Sequence, residues 1–183
     1  QKEDLEKGLI AFIKGKAKIE ERALIHAESV VGSAYALNEI VISRADSASL
    51  IKIRVYYNEQ FVNHYWADGL IISTPTGSTA YNLSSGGPII FPSTPVFVIN
   101  PINPHNLTMR PLVLPTGNIQ LEIEYREGHI LLSHDGFTSG ATNELTNVKI
   151  GKAPFKAKLL RTSDDDYFQT LRDKLMWGKD FRG

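Results

Sequence analysis

The chain of 183 residues is 42% hydrophobic and 22% charged, ordinary proportions for one globular domain with a sizeable core. Lysine plus arginine and aspartate plus glutamate number 20 each, so there is no net basic footprint of the kind that marks nucleic-acid binding. Cysteine is absent, which excludes disulfides, thiolate metal sites and cysteine nucleophiles, and no apolar run approaches the ~18 residues of a membrane span.

Gln1-Lys2-Glu3-Asp4 has neither an initiator methionine nor the pattern of a signal peptide, and predicts a fragment of a cytoplasmic protein. Leu5, Leu9, Phe12 and Ile13 recur at helical spacing and predict a short amphipathic helix over residues 2–14, stopped near Gly15. From Lys18 the period becomes two, with Ile19, Ala23 and Ile25 predicting a half-buried strand. Ser29 to Ser33 reads as a loop. Ala36 to Ser43 reads as an apolar strand interrupted by Asn38-Glu39. Polar side chains inside an apolar run break the hydrophobic rule, as functional residues do; a solvated face would accommodate them equally.

Ser49 to Tyr57 alternates cleanly, with Ile51, Ile53, Val55 and Tyr57 on one face. Asn58-Glu59-Gln60 turns the chain, and Phe61 to Trp66 returns as the second arm of a hairpin whose turn type is open, since its tip lacks glycine. Tyr65 and Trp66 suit either a binding wall or packing. A strand follows over Gly69 to Thr74, then a turn forced by Pro75 and Gly77. Ser78 or Thr79 is the predicted N-cap of a short helix from Ala80 to Ser84, stopped by Gly86-Gly87-Pro88. Such a junction aims backbone N–H groups and hydroxyls at one point, which suits a phosphate or a nucleoside. It suits equally a tight turn whose hydroxyls cap their own backbone.

Val96 to Asn100 reads as a strand, and Pro101, Pro104, Pro111 and Pro115 predict a shaped loop over residues 101–117 in which His105 fixes the loop. Residues 119–125 and 129–134 read as a hairpin around Glu127-Gly128. Asp135-Gly136 reads as a turn, and His134 and Asp135, being adjacent, point to opposite faces and form no catalytic pair. Asn147 to Arg161 predicts two short strands around Pro154. Asp164-Asp165-Asp166 caps a last helix carrying Phe168, Leu171, Leu175 and Met176, with Trp177 docking the tail. About ten short strands with few helices predict a mainly β, layered sandwich-like domain with short flanking helices.

The stretch DGLIISTPTGSTAYNLSSGGPII, residues 68–90, is similar to the signature of the NAD kinase family, in which Asp-Gly leads into TPTGSTAY and Gly-Gly-Pro. Three more blocks occur in family order. Ala36-Leu37-Asn38-Glu39 lies upstream. Pro101-Ile102-Asn103-Pro104-His105 with Arg110-Pro111-Leu112-Val113 lies downstream, as does Leu171-Arg172-Asp173-Lys174-Leu175-Met176-Trp177-Gly178. The family's Gly-Gly-Asp-Gly loop, which belongs to an N-terminal α/β domain, occurs nowhere in these residues.

The resemblance implies that residues 1–15 are a junction helix from a missing α/β domain, residues 16–162 a β-rich NAD-binding domain and residues 163–183 a C-terminal helix and tail. It implies transfer of the ATP γ-phosphate to the 2′-hydroxyl of the NAD adenosine ribose, giving NADP, with Mg²⁺ or another divalent metal on the ATP phosphates. The family's base belongs to the Gly-Gly-Asp-Gly loop, so this chain alone is expected to be inactive.

By motif match, Asn38, Thr76, Thr79 and Ala80 surround the adenine and Glu39 lies near a ribose. Asn both donates to and accepts from an adenine edge, and Glu accepts from a hydroxyl. Tyr81 lies against a base or the phosphates, Ser84 and Asp68 address the nicotinamide half, Asn82 and Leu83 belong to the same binding segment, and Asp135 faces the pocket. Trp66 stands where many members carry a basic residue, and Phe137 where several carry a polar one. The resemblance implies a homodimer or homotetramer in which Asp68 acts across an interface, with no nucleic-acid or membrane partner. The alternatives are the C-terminal domain of a diacylglycerol- or sphingosine-type lipid kinase and a non-catalytic nucleotide-binding β-sandwich.

Overall fold

In a computed structural model, which describes residues 2–45, 49–161 and 167–176, the alternating stretches become twelve strands arranged as two six-stranded sheets. In chain order they are β1 (Lys18–Ser29), β2 (Gly32–Ala36), β3 (Glu39–Arg44), β4 (Ile51–Tyr57), β5 (Gln60–Ala67), β6 (Gly69–Ser73), β7 (Val96–Ile102), β8 (Leu112–Pro115), β9 (Ile119–Glu124), β10 (Ile130–His134), β11 (Phe137–Thr142) and β12 (Asn147–Arg161). One sheet runs β2-β1-β12-β9-β4-β5 and the other β11-β10-β3-β6-β7-β8. The mainly β, layered architecture is as the sequence predicts.

Register explains the core. Ile40, Ile72 and Ile99 stand opposite one another across β3, β6 and β7, while Ile53 faces Ile123 and Val55 faces Leu121 between β4 and β9. These rows join one hydrophobic cluster shared by the two sheets. Burying each such side chain contributes roughly 1.5–3 kcal/mol, so the pairing register is strongly specified. The alternate row of the second sheet, Val41, Ile71 and Asn100, is buried as well, because residues 74–92 cover that face.

The core lies in the compact unit Arg22–Ala157. Gln1–Glu21 with Lys158–Gly183 form a second unit. Within it, α1 (Lys2–Ile13) exposes Leu5, Leu9, Ile10, Phe12 and Ile13, and Arg161 Nε donates to Glu20 Oε2 at 2.8 Å. The last helix, α3 (Tyr167–Leu175), buries Leu171 and carries Arg172 and Lys174 in its final turn, where cations complement the helix dipole. The Asp164-Asp165-Asp166 cap and Trp177 lie outside the described residues.

Five local expectations are corrected. Ser29 to Ser33 is a tight hairpin joining β1 to β2, with Ser29 paired to Gly32, rather than a loop. The loop over 101–117 contains β8, which pairs with β7 at the sheet edge, where Pro115 forfeits no interior ladder bond. Residues 119–134 are not a hairpin: β9 belongs to one sheet and β10 to the other, where β10 pairs with β3 and β11. Residues 147–161 form one long strand; its pairing with β9 ends at Ile150, so Pro154 interrupts nothing there. Asn38-Glu39 does not interrupt a strand, because β2 ends at Ala36 in one sheet and β3 begins at Glu39 in the other. The open hairpin tip also resolves: Asn58 and Glu59 both have positive φ, 46° and 68°, the conformation of a type I′ turn.

Candidate functional site

The change of sheet at Leu37-Asn38 sets up the site. A chain leaving one sheet for another drops out of both ladders, and its backbone donors need other partners. Here they converge on one carboxylate. Leu37 N–H donates to Asp135 Oδ2 at 2.7 Å, and the N–H groups of Asn38 and Glu39 donate to Oδ1 at 2.7 and 3.2 Å. Asp135 stands at the two-residue tip of the β10–β11 hairpin, with φ of 45°, followed by Gly136 at 81°.

The carbonyls of the same crossing hold the next segment. Thr74 N–H donates to Asn38 O at 2.8 Å, and Thr74 Oγ1 donates to Leu37 O at 2.5 Å while accepting Gly77 N–H at 3.1 Å. A Cβ on Gly77 would lie 2.1 Å from Asn38 O, so only glycine lets the two backbones approach this closely.

Beyond Gly77 the chain makes a 3-10 turn (Gly77–Thr79), breaks at Ala80, and forms the single-turn helix α2 (Tyr81–Ser84). The predicted N-cap by Ser78 or Thr79 is replaced. Neither turn has a side-chain cap, and the buried Ser78 hydroxyl donates to Pro75 O at 2.7 Å while accepting Ile90 N–H at 3.0 Å. Asn82 is fully buried. Its Nδ2 donates to Ser78 O and Pro88 O, and its Oδ1 accepts from Asn100 Nδ2.

What is left over is informative. Among the described residues the half-buried Asn38 carboxamide has no hydrogen-bond partner. Glu39 is 6% exposed, and its Oε2 is buried without a partner. Burial, then the neighbouring Asp135 carboxylate, pushes the Glu39 carboxyl up to about 7, opposed by the Tyr81 backbone N–H that donates to it. A buried oxygen short of a partner is costly unless something supplies one. Along the segment that carries the Tyr81 N–H, Thr79, Tyr81 and Ser84 are exposed, and Thr76, Ala80 and Leu83 are half-buried. The cluster can therefore offer the Asn38 amide, the Glu39 carboxyl group, the hydroxyls of Thr76, Thr79 and Ser84 and the Tyr81 ring to a polar, partly flat ligand.

Asn38, Glu39, Thr76, Thr79, Ala80, Tyr81, Leu83 and Ser84 thus come together at one end of β3 and β6. Asn82 and Asp135 are there too, but as supports whose polar groups are committed within the chain. Asp68 is not brought to this cluster. Glu39 pairs with Ser73 and Ser43 with Gly69, so Asp68 lies just past the other end of the same strand pair, about 17 Å away at ~3.4 Å per residue. There its carboxylate meets Arg44 Nε at 2.9 Å and accepts from Asn103 Nδ2 at 3.0 Å. Trp66 is half exposed, with Lys52 Nζ 5.0 Å from its ring centroid and the His105 ring edge-on, and Tyr65 is core. The main-chain N–H of His105 donates to Trp66 O at 2.8 Å and ties the loop to β5 through the backbone.

Asn100 escaped the sequence reading. Its signal was a carboxamide directly after the apolar run Val96-Phe97-Val98-Ile99 and before Pro101-Ile102, a polar side chain in a stretch that is otherwise apolar, as at Asn38.

Comparison with known proteins places the chain in a family and a fold. Residues 37–162 match the family described as the ATP-NAD kinase C-terminal domain. An NAD kinase of Cytophaga hutchinsonii is 43% identical over 188 residues, covering 99% of this chain and 63% of that protein. One from Flavobacterium johnsoniae is 48% identical over 149 residues, covering 81% and 50%. The chain thus spans less than two thirds of the length of these relatives. Among solved structures, yeast NADH kinase in complex with NADH superposes with a TM-score of 0.88 at 26% identity, over 98% of this chain and 55% of that one. An NAD kinase from Archaeoglobus fulgidus in complex with ATP shares the fold, with a TM-score of 0.76 at 24% identity over 94% and 64%. The chain belongs to the NAD kinase family and carries its C-terminal domain.

Proposed function

We propose that this chain is the dinucleotide-binding part of an enzyme that moves the γ-phosphate of ATP to the 2′-hydroxyl of the NAD adenosine ribose, giving NADP. The observation that carries the reading is the pair of unsatisfied groups at the sheet crossing, the Asn38 carboxamide and the buried Glu39 Oε2. Asn38 pairs with the adenine edge, donating and accepting, with Thr76, Thr79 and Ala80 around it. Glu39 accepts from a ribose hydroxyl, Tyr81 covers a base or the phosphates, Ser84 addresses the nicotinamide half, and Leu83 belongs to the same binding segment. Names of relatives as NAD kinases, and of a structural neighbour as an NADH kinase complexed with NADH, support the substrate class.

Asp68 completes the site of a second copy in a homodimer or homotetramer, which its distance from Glu39 favours. Mg²⁺ or another divalent metal arrives on the ATP phosphates. The base that takes the 2′-hydroxyl proton belongs to an upstream α/β domain reached through residues 1–15, so this chain binds dinucleotide without turning it over. The cytoplasm is the setting that goes with this reading. Among the described residues no helix is long and apolar enough to cross a membrane. Calorimetric titration of NADP into the purified chain tests the reading. Saturable binding is expected, and no binding by the folded, oligomeric chain would overturn it.

A further inference from the structure

We propose that Asp135 is a positioning residue for the dinucleotide site: by holding the N–H groups of Leu37, Asn38 and Glu39, its carboxylate sets where the Asn38 carboxamide and the Glu39 carboxylate point. The inference rests on the dinucleotide reading of this site.

Three consecutive N–H groups pointing at one acceptor form an anion-binding concavity. In this chain the anion is built in, from a residue 96 to 98 positions away in sequence. Both Asp135 oxygens are engaged, one by Leu37 and one by Asn38 and Glu39, so the carboxylate acts on the site through the backbone it holds. No strand can do this job, since residues 37 and 38 lie between two sheets. Asp135 in turn is held at its own place, because its N–H donates to Glu39 O at 3.3 Å and its φ of 45° is the tip conformation of a tight hairpin. Asparagine adopts that conformation readily, so Asp135→Asn keeps the turn while removing the charge and at least one acceptor.

The groups facing Glu39 are few. Asp135 faces it from the β10–β11 tip and the Tyr81 N–H from α2, Ser73 stands opposite on β6, and among the described residues no cation pairs with Glu39 or Asp135. Removing the Asp135 charge therefore leaves burial as the cause that raises Glu39, and its titration moves to lower pH.

The test uses the full chain, wild type and Asp135→Asn, with two readouts: NADP affinity by calorimetry, and NMR of the Leu37, Asn38 and Glu39 amides with the Glu39 carboxyl carbon followed against pH. In Asp135→Asn the expected results are NADP binding weakened about 10-fold or more, the three amide protons moved upfield, and the Glu39 midpoint lowered. Affinity within twofold of wild type, or an unmoved Glu39 midpoint, overturns the positioning role. If wild type binds no NADP, the dinucleotide reading itself falls, a result distinct from wild type and variant binding alike. Should Asp135→Asn fail to fold, wild type decides: NADP must leave the three amides bonded and protected from exchange, and their release on binding would make Asp135 a direct ligand contact instead.

Discussion

Asn100 Nδ2 donates to Asn82 Oδ1 at 3.1 Å and to Asn82 O at 3.2 Å, pinning the single turn of α2 to the middle of β7. The two buried carboxamides satisfy each other and the carbonyls of Ser78, Ser85 and Pro88. Truncating either leaves partners unpaired in a dry place, which costs roughly 1–3 kcal/mol per orphaned group. Asn100→Ala is expected to lower unfolding stability by about 2–3 kcal/mol in urea titration. A loss below ~0.5 kcal/mol would show that the pin is dispensable.

Gly77 rests against the Asn38 carbonyl with no room for a side chain. Gly77→Ala must push the Thr74–Tyr81 segment off the sheet crossing, at a cost of about 2 kcal/mol or more. NADP binding is expected to fall with it, since Thr79, Ala80 and Tyr81 ride on that segment. Unchanged melting and binding would contradict this packing.

Glu39 makes stability depend on pH in an unusual direction for a carboxyl. Its folded value of about 7 lies above the ordinary 4.5, so between these values the folded state binds more protons than the unfolded state. Stability of the ligand-free chain therefore falls as pH rises from about 4.5 to 7, by on the order of 3 kcal/mol at most. Glu39→Gln stays neutral, keeps an acceptor for the Tyr81 N–H, and removes that slope. Urea midpoints measured across this window in both proteins check it, and parallel curves would refute it.

Asn38 has the carboxamide with no internal partner, so its loss should weaken binding without weakening the fold. Asn38→Ala is expected to change stability by less than ~0.5 kcal/mol and to weaken NADP binding by roughly 10-fold or more. Thr79→Ala should act in the same sense but less, since that hydroxyl is exposed. Equal affinity in all three proteins would remove both residues from the site.

Asp68 offers a test across copies. In mixtures of Asp68→Ala and Asn38→Ala chains, a site shared between copies regains up to one intact pocket per mixed pair, whereas a site within one chain regains none. Recovery of binding capacity on mixing is the expected result, read by titration alongside sedimentation. The mixture behaving as the sum of its parts would place the whole site in a single chain.

Strand content was legible because alternation is local: Ile51, Ile53 and Val55 declare a buried face whatever they pack against. Sheet membership was not. Residues 119–125 and 129–134 look like hairpin arms, yet they separate into different sheets, because the partner of a strand is chosen by packing far along the chain. The same blindness made Asn38-Glu39 look like an interruption when it is a crossing.

The candidate site divides along the same line. Residue order alone assigned the family and the β-rich fold, and it pointed to the segment from Thr74 to Ser84 as the candidate site, since turn formers, hydroxyls and glycines carry their meaning within a few residues. Only the folded chain decided which polar groups are spent and which remain. Asn82 and Asp135 look as available as Asn38 and Glu39 in the sequence, but burial and long-range hydrogen bonds commit the first pair to the scaffold. It also set Asp68 at the far end of β6, because a strand holds residues five positions apart well beyond the reach of one side chain.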